Sequence, residues 1–183
     1  MFDRQPILTG ELLELRPLRQ ADWAALFAVA SDPLIWEQHP DSDRHKEDVF
    51  RQFFVDALNS GGALVAIDRA TGEIIGSSRY HGIDATNRLV EIGWTFLARR
   101  YWGGKYNGEM KRLMLEHAFK SVDQVIFMIG PNNRRSRRAV EKIGAVYLHV
   151  APDAKGRESV VYELTKTAFA RGPLAGAERR DTQ

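Results

Sequence analysis

A strand that passes through adjacent glycines into a helix constrains the fold of this chain more than any other feature. Apolar alternation predicts a strand over 89–97, a glycine-rich loop covers 102–108, and helical spacing predicts a helix over about 108–120. A strand over 124–129 and a helix over 134–143 follow. Because a strand–helix–strand connection joins parallel strands, part of the sheet must be parallel.

The remaining elements are predicted from the same periodicities. Gly61 and Gly62 end the second helix, and Thr71-Gly72 is a short turn typical of a hairpin. The expected strands are 12–18, 63–68, 73–81, 146–151 and 157–164, and the expected helices are 20–30 and 43–59. The sequence therefore predicts one α/β domain over 1–171, with a mixed, partly antiparallel central sheet flanked by helices, and a polar tail over 172–183.

The strand over 89–97 carries the first candidate catalytic residue. Its alternation predicts one face with Val90, Ile92, Trp94 and Phe96 and the other with Glu91, Gly93 and Thr95. Partial burial of Glu91 would raise its pKa toward the range that suits a general base. A structural carboxylate that pairs with Arg79 is an equally good interpretation.

Composition excludes several classes of protein. The chain has 183 residues and no cysteine, which excludes disulfides, thiolate metal sites and cysteine nucleophiles. No apolar run reaches the ~18 residues of a membrane span, and the N-terminus does not resemble a signal peptide. We therefore expect a cytoplasmic protein with no membrane partner.

The charge is unevenly distributed along the chain. The formal net charge is +2, but the segment 99–142 holds 11 Lys and Arg against four acids, which gives +7. Such a segment favours an anionic partner. A nucleic-acid-binding module is one reading, with Arg134, Arg135, Arg137 and Arg138 as its contacts. No helix-turn-helix, zinc finger or stacking motif lies beside these arginines, so a nucleic-acid partner is disfavoured.

The loop before the helix at 108–120 suits a phosphate group. Gly103 and Gly104 let the backbone turn tightly and approach a ligand. The first N–H groups of a helix have no partners within that helix, and its positive dipole end attracts anions. Lys105 adds a full positive charge. The alternative is a glycine turn with only a structural role.

A second motif is Asn133-Arg-Arg-Ser-Arg-Arg-Ala-Val-Glu-Lys-Ile-Gly144. Asn132 or Asn133 can cap the helix, and Gly144 can end it. Capping explains these residues without a ligand, but it does not explain four arginines in five positions.

Together the two motifs resemble the GNAT superfamily of acyl-CoA-dependent N-acyltransferases. The opening residues 8–18 and the Glu91-Ile-Gly-Trp94 segment are similar to its branch of ribosomal-protein N-terminal (RimJ/RimL-like) acetyltransferases. Three positions depart from the family pattern. Trp102 precedes the first glycine, Lys105 replaces the second, and Val140 stands where some members carry a tyrosine that protonates the thiolate.

The resemblance implies an enzyme, an N-acetyltransferase with acetyl-CoA as donor and no metal. The backbone of Phe96 and Leu97 would pair with the pantetheine amides, and Asn133 and Ser136 would reach the pantetheine arm and sulfur. The pyrophosphate loop would consist of Trp102, Gly103, Gly104, Lys105, Tyr106 and Asn107.

The resemblance also implies a direct attack by an amine in a ternary complex. Glu91 is the candidate base, and Ser136 is the candidate proton donor to the thiolate. The candidate acceptor residues are Trp36, His39 and Tyr80. The acceptor is a protein N-terminal α-amine or a small-molecule amine, and a homodimer is one assembly that the branch suggests. A non-catalytic acyl-CoA sensor remains the alternative function.

Overall fold

The computed structural model describes residues 2–175, which form eight strands and five α-helices. The strands are β1 (Leu8–Thr9), β2 (Leu13–Pro17), β3 (Ala63–Asp68), β4 (Ile74–Asp84), β5 (Leu89–Leu97), β6 (Gln124–Ile129), β7 (Val146–Pro152) and β8 (Glu158–Thr165). The helices are α1 (Trp23–Ala30), α2 (Glu47–Ser60), α3 (Lys105–Ala118), α4 (Arg134–Lys142) and α5 (Lys166–Arg171). Short 3₁₀ turns lie at Gln20–Asp22, Pro33–Ile35 and Arg99–Tyr101.

All eight strands belong to one mixed sheet, in the order β1-β2-β3-β4-β5-β6-β8-β7. Only β5 and β6 are parallel, and every other described pair is antiparallel. The predicted fold class is therefore confirmed. The parallel pair is short, because Leu89, Val90 and Glu91 are the only β5 residues that pair with β6. Beyond Glu91 the two strands diverge.

Helices cover both faces of the sheet. The larger core packs α3 and α4 against one face through residues such as Met114, Phe127 and Val140. The smaller core packs α1 and α2 against the other face through Leu26, Phe50 and further apolar side chains. The central strands are consequently covered on both sides, whereas the edge strand β7 is exposed. A gap in strand pairing opens where β6 leaves β5.

A β-bulge in β5 changes which residues share a face. Ser77 of β4 pairs with Phe96, whereas Arg79 pairs with Gly93, so β5 contains one extra residue over this interval. Trp94 takes a positive φ of 51° at the bulge. The prediction that Val90 and Trp94 lie on the same face of β5 is therefore wrong. Before the bulge, the odd-numbered side chains face α2 and Val90 faces α3. After the bulge, the even-numbered side chains, including that of Trp94, face α2.

Other boundaries differ slightly from those expected. Helix α3 begins at Lys105, three residues before the predicted start, because Gly108 lies inside the helix rather than in the loop. Gly61 ends α2 in the left-handed conformation, as predicted. Strand β1 and helix α5 were not predicted. In the predicted tail, Leu174 packs against the main core, and positions 176–183 lie outside the described residues. No helix within residues 2–175 is long and apolar enough to cross a membrane.

Candidate active site

Glu91 lies where β5 and β6 separate. It pairs with Ile126 as the last residue of the parallel ladder, and it pairs with His81 on β4. Its side chain projects on the α2 face beside Gly93, where an added Cβ would lie 3.1 Å from the Glu91 carboxylate. The carboxylate therefore lies next to the bulge and at the vertex of the gap between the strands.

Burial dominates the electrostatics of Glu91. It raises the pKa of the carboxyl to about 7, and the positive charge of Arg79 offsets part of this shift. Within residues 2–175 neither carboxylate oxygen accepts a hydrogen bond. Glu91 thus has free lone pairs and a pKa in the range of an efficient general base at neutral pH.

The glycine loop forms a cradle whose backbone is open to a ligand. Gly103 adopts a φ of 69°, which favours glycine, whereas Gly104 has an extended backbone that any residue could adopt. A Cβ at either position would meet no atom within 4 Å. Packing therefore does not explain Gly104. The open backbone leaves room for another molecule to approach closely.

The start of α3 completes this cradle. The backbone N–H groups of its first turn, which belong to Lys105, Tyr106 and Asn107, receive no capping hydrogen bond from a side chain at the N-cap. The Lys105 side chain is exposed beside them. These amides, the helix dipole and the lysine charge together favour an anion at this point.

Glu109 fixes the first turns of α3 to the rest of the domain. Its carboxylate accepts hydrogen bonds from the backbone N–H groups of Glu11, Leu12 and Leu13 at 2.9, 2.8 and 2.9 Å. Gly10 leaves room for this contact, because a Cβ there would lie 2.5 Å from the carboxylate and would displace it. The cradle is therefore supported by the connection between β1 and β2.

Two aromatic residues of the predicted pyrophosphate loop are held by the protein itself. Trp102 donates its indole N–H to the carbonyl of Leu97 at 2.9 Å. Tyr106 donates its hydroxyl to Asp68 at 3.1 Å. Phe96 is packed in the smaller core. Any role of these three residues in binding a cofactor would rest on backbone atoms or ring surface.

Helix α4 begins at the same end of the sheet as α3. Asn133 is buried and caps α4, because its side-chain oxygen accepts the backbone N–H of Ser136 at 3.1 Å. The Ser136 hydroxyl is half-buried and forms no hydrogen bond within the described chain. It is therefore available to a ligand that enters the gap between β5 and β6.

This arrangement of residues lies in a segment that matches a known protein family. A family model described as "Acetyltransferase (GNAT) domain" matches residues 13–146, well over half of the chain. The chain belongs to the GNAT acetyltransferase family. This family transfers acetyl groups and uses acetyl-CoA as donor. The matched segment contains β5, the glycine cradle and the start of α4, so the geometry described above lies within the GNAT domain.

Individual proteins resemble the chain over different lengths. A curated relative, the uncharacterized protein YkkB of Bacillus subtilis (strain 168), is 37% identical over 86 residues, which cover 45% of this chain and about half (49%) of that protein. An acetyltransferase structure from Agrobacterium tumefaciens str. C58 is 25% identical with a TM-score of 0.68, covering 88% of this chain and 95% of that chain. Mycobacterium smegmatis RimJ in complex with CoA-disulfide shares the fold, with 19% identity, a TM-score of 0.69 and coverage of 96% and 95%.

The four arginines of α4 do not form one exposed basic surface of this GNAT domain. Arg135 donates to the carbonyl of Ile35 at 2.9 Å and stacks 4.0 Å from Trp102. Arg137 donates to Tyr162 and to the carbonyl of Pro131, both at 3.0 Å. Two of the four thus have structural partners, which weakens the nucleic-acid reading.

The three predicted acceptor residues lie in different environments. Trp36 is buried, and its indole N–H donates to Ala30. Tyr80 is fully buried on the opposite face, where its hydroxyl donates to the Met114 carbonyl at 2.7 Å, so the structure does not bring it to Glu91. His39 stays neutral, because burial and Arg44 lower its pKa to about 3.

His39 lines a cleft between the 37–42 segment and the turn that leads into α4. The cleft has a volume of about 520 Å³ and is lined by Glu37, Gln38, His39, Pro40, Ser42, Gly130, Pro131, Asn132, Arg157 and Glu158. It lies beside the start of α4, because Pro131 and Asn132 closely precede that helix. Across residues 2–175 no group of three or more His, Asp or Glu side chains could hold a metal ion.

Two buried charged residues were missed as separate features of the site. Arg79 on β4 was considered as a partner of Glu91 and as one possible lining residue of the acceptor pocket, but not as a buried charge, and Lys111 on α3 was counted only as part of the positive segment. Each is 5% exposed. The available signal was their position among apolar residues of regular elements, where an unpaired charge is costly.

Proposed function

We propose that the protein transfers the acetyl group of acetyl-CoA to a primary amine, either a protein N-terminal α-amine or a small-molecule amine, by direct attack in a ternary complex. The observation that carries the proposal is the position of Glu91. Its half-buried carboxylate, which accepts no hydrogen bond from residues 2–175, lies at the vertex where β6 leaves β5. We assign this chemistry to an acetyltransferase domain over 1–171.

The cradle and the gap between the strands support acetyl-CoA as the donor. The open backbone at Gly103 and Gly104 and the uncapped first turn of α3 fit a pyrophosphate. The β5 backbone from Ile92 to Leu97 has no strand partner on its β6 side. Pantetheine amides would extend the sheet along this edge, which places the thioester near the bulge.

Glu91 would act as the general base. The amine nitrogen attacks the thioester carbonyl, a C–N bond forms, the C–S bond breaks, and the amine proton passes to Glu91 directly or through water. Backbone N–H groups near the bulge would polarise the carbonyl. Ser136 would donate a hydrogen bond to the departing thiolate, since its hydroxyl has no other partner in the described chain.

The pKa of the acceptor amine determines how much the reaction depends on a general base. An ε-amine with a pKa of ~10.4 is neutral at pH 7 in about one molecule in 2,500, whereas an α-amine with a pKa of ~7.8 is neutral in about one in seven. This difference corresponds to ~3.5 kcal/mol. An α-amine therefore needs much less help, which supports a protein N-terminus or small α-amine and agrees with a RimJ/RimL-like assignment.

The proposal is tested by combining a binding assay with a turnover assay. Acetyl-CoA should raise the melting temperature of the protein by mass action. Thiol release, followed across a panel of peptides and small amines, should exceed the rate of hydrolysis only when an acceptor is present. Stabilisation by acetyl-CoA without amine-dependent thiol release would identify an acyl-CoA sensor instead.

A further inference from the structure

Arg79 lies beside the bulge on the face that carries Glu91. It pairs with Gly93 in the β4–β5 ladder, two residues from the position of Glu91. Arg79 and Glu91 are thus diagonal neighbours on adjacent strands, and such neighbours on one face of a sheet lie ~7–8 Å apart. The guanidinium carbon is 4.6 Å from the Trp94 ring and 5.5 Å from the Phe53 ring.

The guanidinium of Arg79 has no hydrogen-bond partner among the described residues. Its Nε is buried and unsatisfied, and none of its remaining N–H groups donates to an acceptor within residues 2–175. The two terminal nitrogens differ from Nε in that they keep contact with solvent. A planar group with five donors thus lies between two aromatic rings, with only its outer edge accessible.

Two half-buried arginines of the described chain, by contrast, are paired. Arg16 forms two hydrogen bonds with Asp22, at 2.8 and 2.7 Å. Arg44 contacts the same Phe53 ring as Arg79, but it donates to Asp41 at 2.8 Å. Burial and the Arg44 charge lower the pKa of Arg79 to about 10, so Arg79 remains a cation at neutral pH. Glu91 and Asp56 favour its charge from a distance, but no described carboxylate forms a hydrogen bond or a close ion pair with it.

We propose that Arg79 binds a carboxylate of the acceptor, so that the preferred substrate is an amine with a carboxylate a few bonds away. This inference rests on the proposed function, because it places the amine at Glu91 and the carboxylate at the neighbouring guanidinium. A guanidinium edge binds a carboxylate through two parallel hydrogen bonds, and the Trp94 and Phe53 rings strengthen these bonds by excluding water. Two sources share this chemistry: a free amino acid, or a peptide with Asp or Glu at its N-terminus.

The test compares substrates that differ only in the carboxylate. Peptides that begin with Asp or Glu are paired with the same peptides beginning with Asn or Gln, and free amino acids are paired with their amides after correction for the fraction of neutral amine. We expect kcat/KM to be about tenfold or more higher for the acidic member of one pair type, which identifies the source. Equal rates for acid and amide in both pair types, or a preference only for phosphorylated amines, would overturn the inference.

Substitution of Arg79 tests whether this residue causes the preference for substrates that carry a carboxylate. In Arg79→Gln the preference should disappear, and Arg79→Lys should retain part of it, while stabilisation by acetyl-CoA stays unchanged. Arg51→Gln is the matched control, because Arg51 is a 58% exposed arginine on α2 and its loss should leave the preference intact. A preference that survives Arg79→Gln contradicts the assignment.

A binding measurement separates this inference from the proposed function. If no amine is acetylated although acetyl-CoA binds, the proposed function fails, and titration of the protein–CoA complex with glutarate still tests the site. We expect saturable binding to the wild type and at least tenfold weaker binding to Arg79→Gln. Equal affinity of both proteins for glutarate would refute a carboxylate site at Arg79.

Discussion

Each face of β5 holds one ionisable side chain whose pKa burial shifts to about 7, and these two side chains differ in their hydrogen-bond partners. On the α2 face, burial raises the pKa of Glu91 to about 7, and no described residue hydrogen-bonds to it. On the α3 face, burial lowers the pKa of Lys111 to about 7. The Lys111 amine donates to Thr95 at 2.6 Å, and the Thr95 and Ser78 hydroxyls are hydrogen-bonded at 2.7 Å.

This difference indicates which of the two groups performs chemistry. Burial alone moves both pKa values to the same range, so the shift does not distinguish them. The Lys111 amine already has a hydrogen-bond acceptor, whereas the Glu91 oxygens have no donor. We therefore expect substitution of Glu91 to change the reaction rate, and substitution of Lys111 to change stability.

The largest expected effect is on turnover in Glu91→Gln. Loss of a general base should reduce kcat by about 10²–10⁴-fold, and more for ε-amines than for α-amines. In the wild type Glu91 is protonated below pH 7, so kcat should rise with pH and level off above about 7. A pH–rate profile from pH 5.5 to 9 measures both. Glu47→Gln, which removes an exposed acid on α2, is the control. Full activity of Glu91→Gln on both amine types would show that Glu91 is not the base.

A substitution in the cradle separates cofactor binding from the chemistry on either face. Gly104→Val adds a side chain that meets no protein atom within 4 Å and needs no unusual φ, so the fold should be retained. We expect the affinity for acetyl-CoA to fall at least ~100-fold, because the side chain occupies the phosphate position. Calorimetric titration measures the affinity. Ala70→Val, which adds apolar bulk at an exposed residue of the turn between β3 and β4, is the control; tight binding by Gly104→Val would count against the cradle.

Lys111→Met tests the stability role of the α3 face. The pKa of Lys111 is about 7 in the folded protein, whereas its ordinary value, which applies to the unfolded chain, is 10.5. Between pH 7 and 10.5 the unfolded chain therefore binds more protons than the folded protein. The wild type should therefore gain stability as pH rises from 7 toward 10, and the variant should lack this gain. At pH 7 the variant should be more stable by ~1–4 kcal/mol, as measured by urea unfolding.

The control for this variant is Lys120→Met, which removes an exposed lysine just after α3. It should change neither the stability nor its pH dependence appreciably. If Lys111→Met instead abolished turnover while acetyl-CoA still bound, the α3 face would take part in the reaction, and the distinction between the two faces would fail.

The smallest effect is expected for Thr95→Val. The substitution leaves the buried Lys111 amine without its acceptor and removes one partner of Ser78. We expect a loss of ~1–3 kcal/mol in the free energy of unfolding and little change in kcat. Double substitution with Lys111→Met should recover part of this loss, whereas additive effects would argue against a coupled network.

Much of the fold could be predicted because the apolar periodicity is regular. The strands at 63–68, 89–97 and 124–129 were predicted with their observed bounds, and the parallel β5–β6 pair follows from the helix between them. The positive φ of Trp94 could not be predicted, since a bulky residue rarely adopts it and the bulge arises from pairing with β4. For the same reason the faces of β5 were misassigned.

Residues of the candidate site could be predicted from the sequence, but their hydrogen-bond partners could not. Glu91 and Arg79 were recognised as neighbours, but the absence of a hydrogen bond to either depends on side-chain placement that no local pattern encodes. The role of Glu109 was also missed, because its three hydrogen bonds reach residues almost a hundred positions away. Such contacts leave no periodic trace in the sequence.

Through the carboxylate of Glu109, the N-terminal part of the chain influences ligand affinity without contacting the ligand. By holding the second turn of α3 against the segment that joins β1 and β2, this carboxylate orders the amides of the cradle before a ligand arrives. The entropic cost of ordering them is then incurred during folding rather than binding. Glu109→Ala would therefore lower the affinity for a phosphate-bearing ligand although it removes no residue of the cradle.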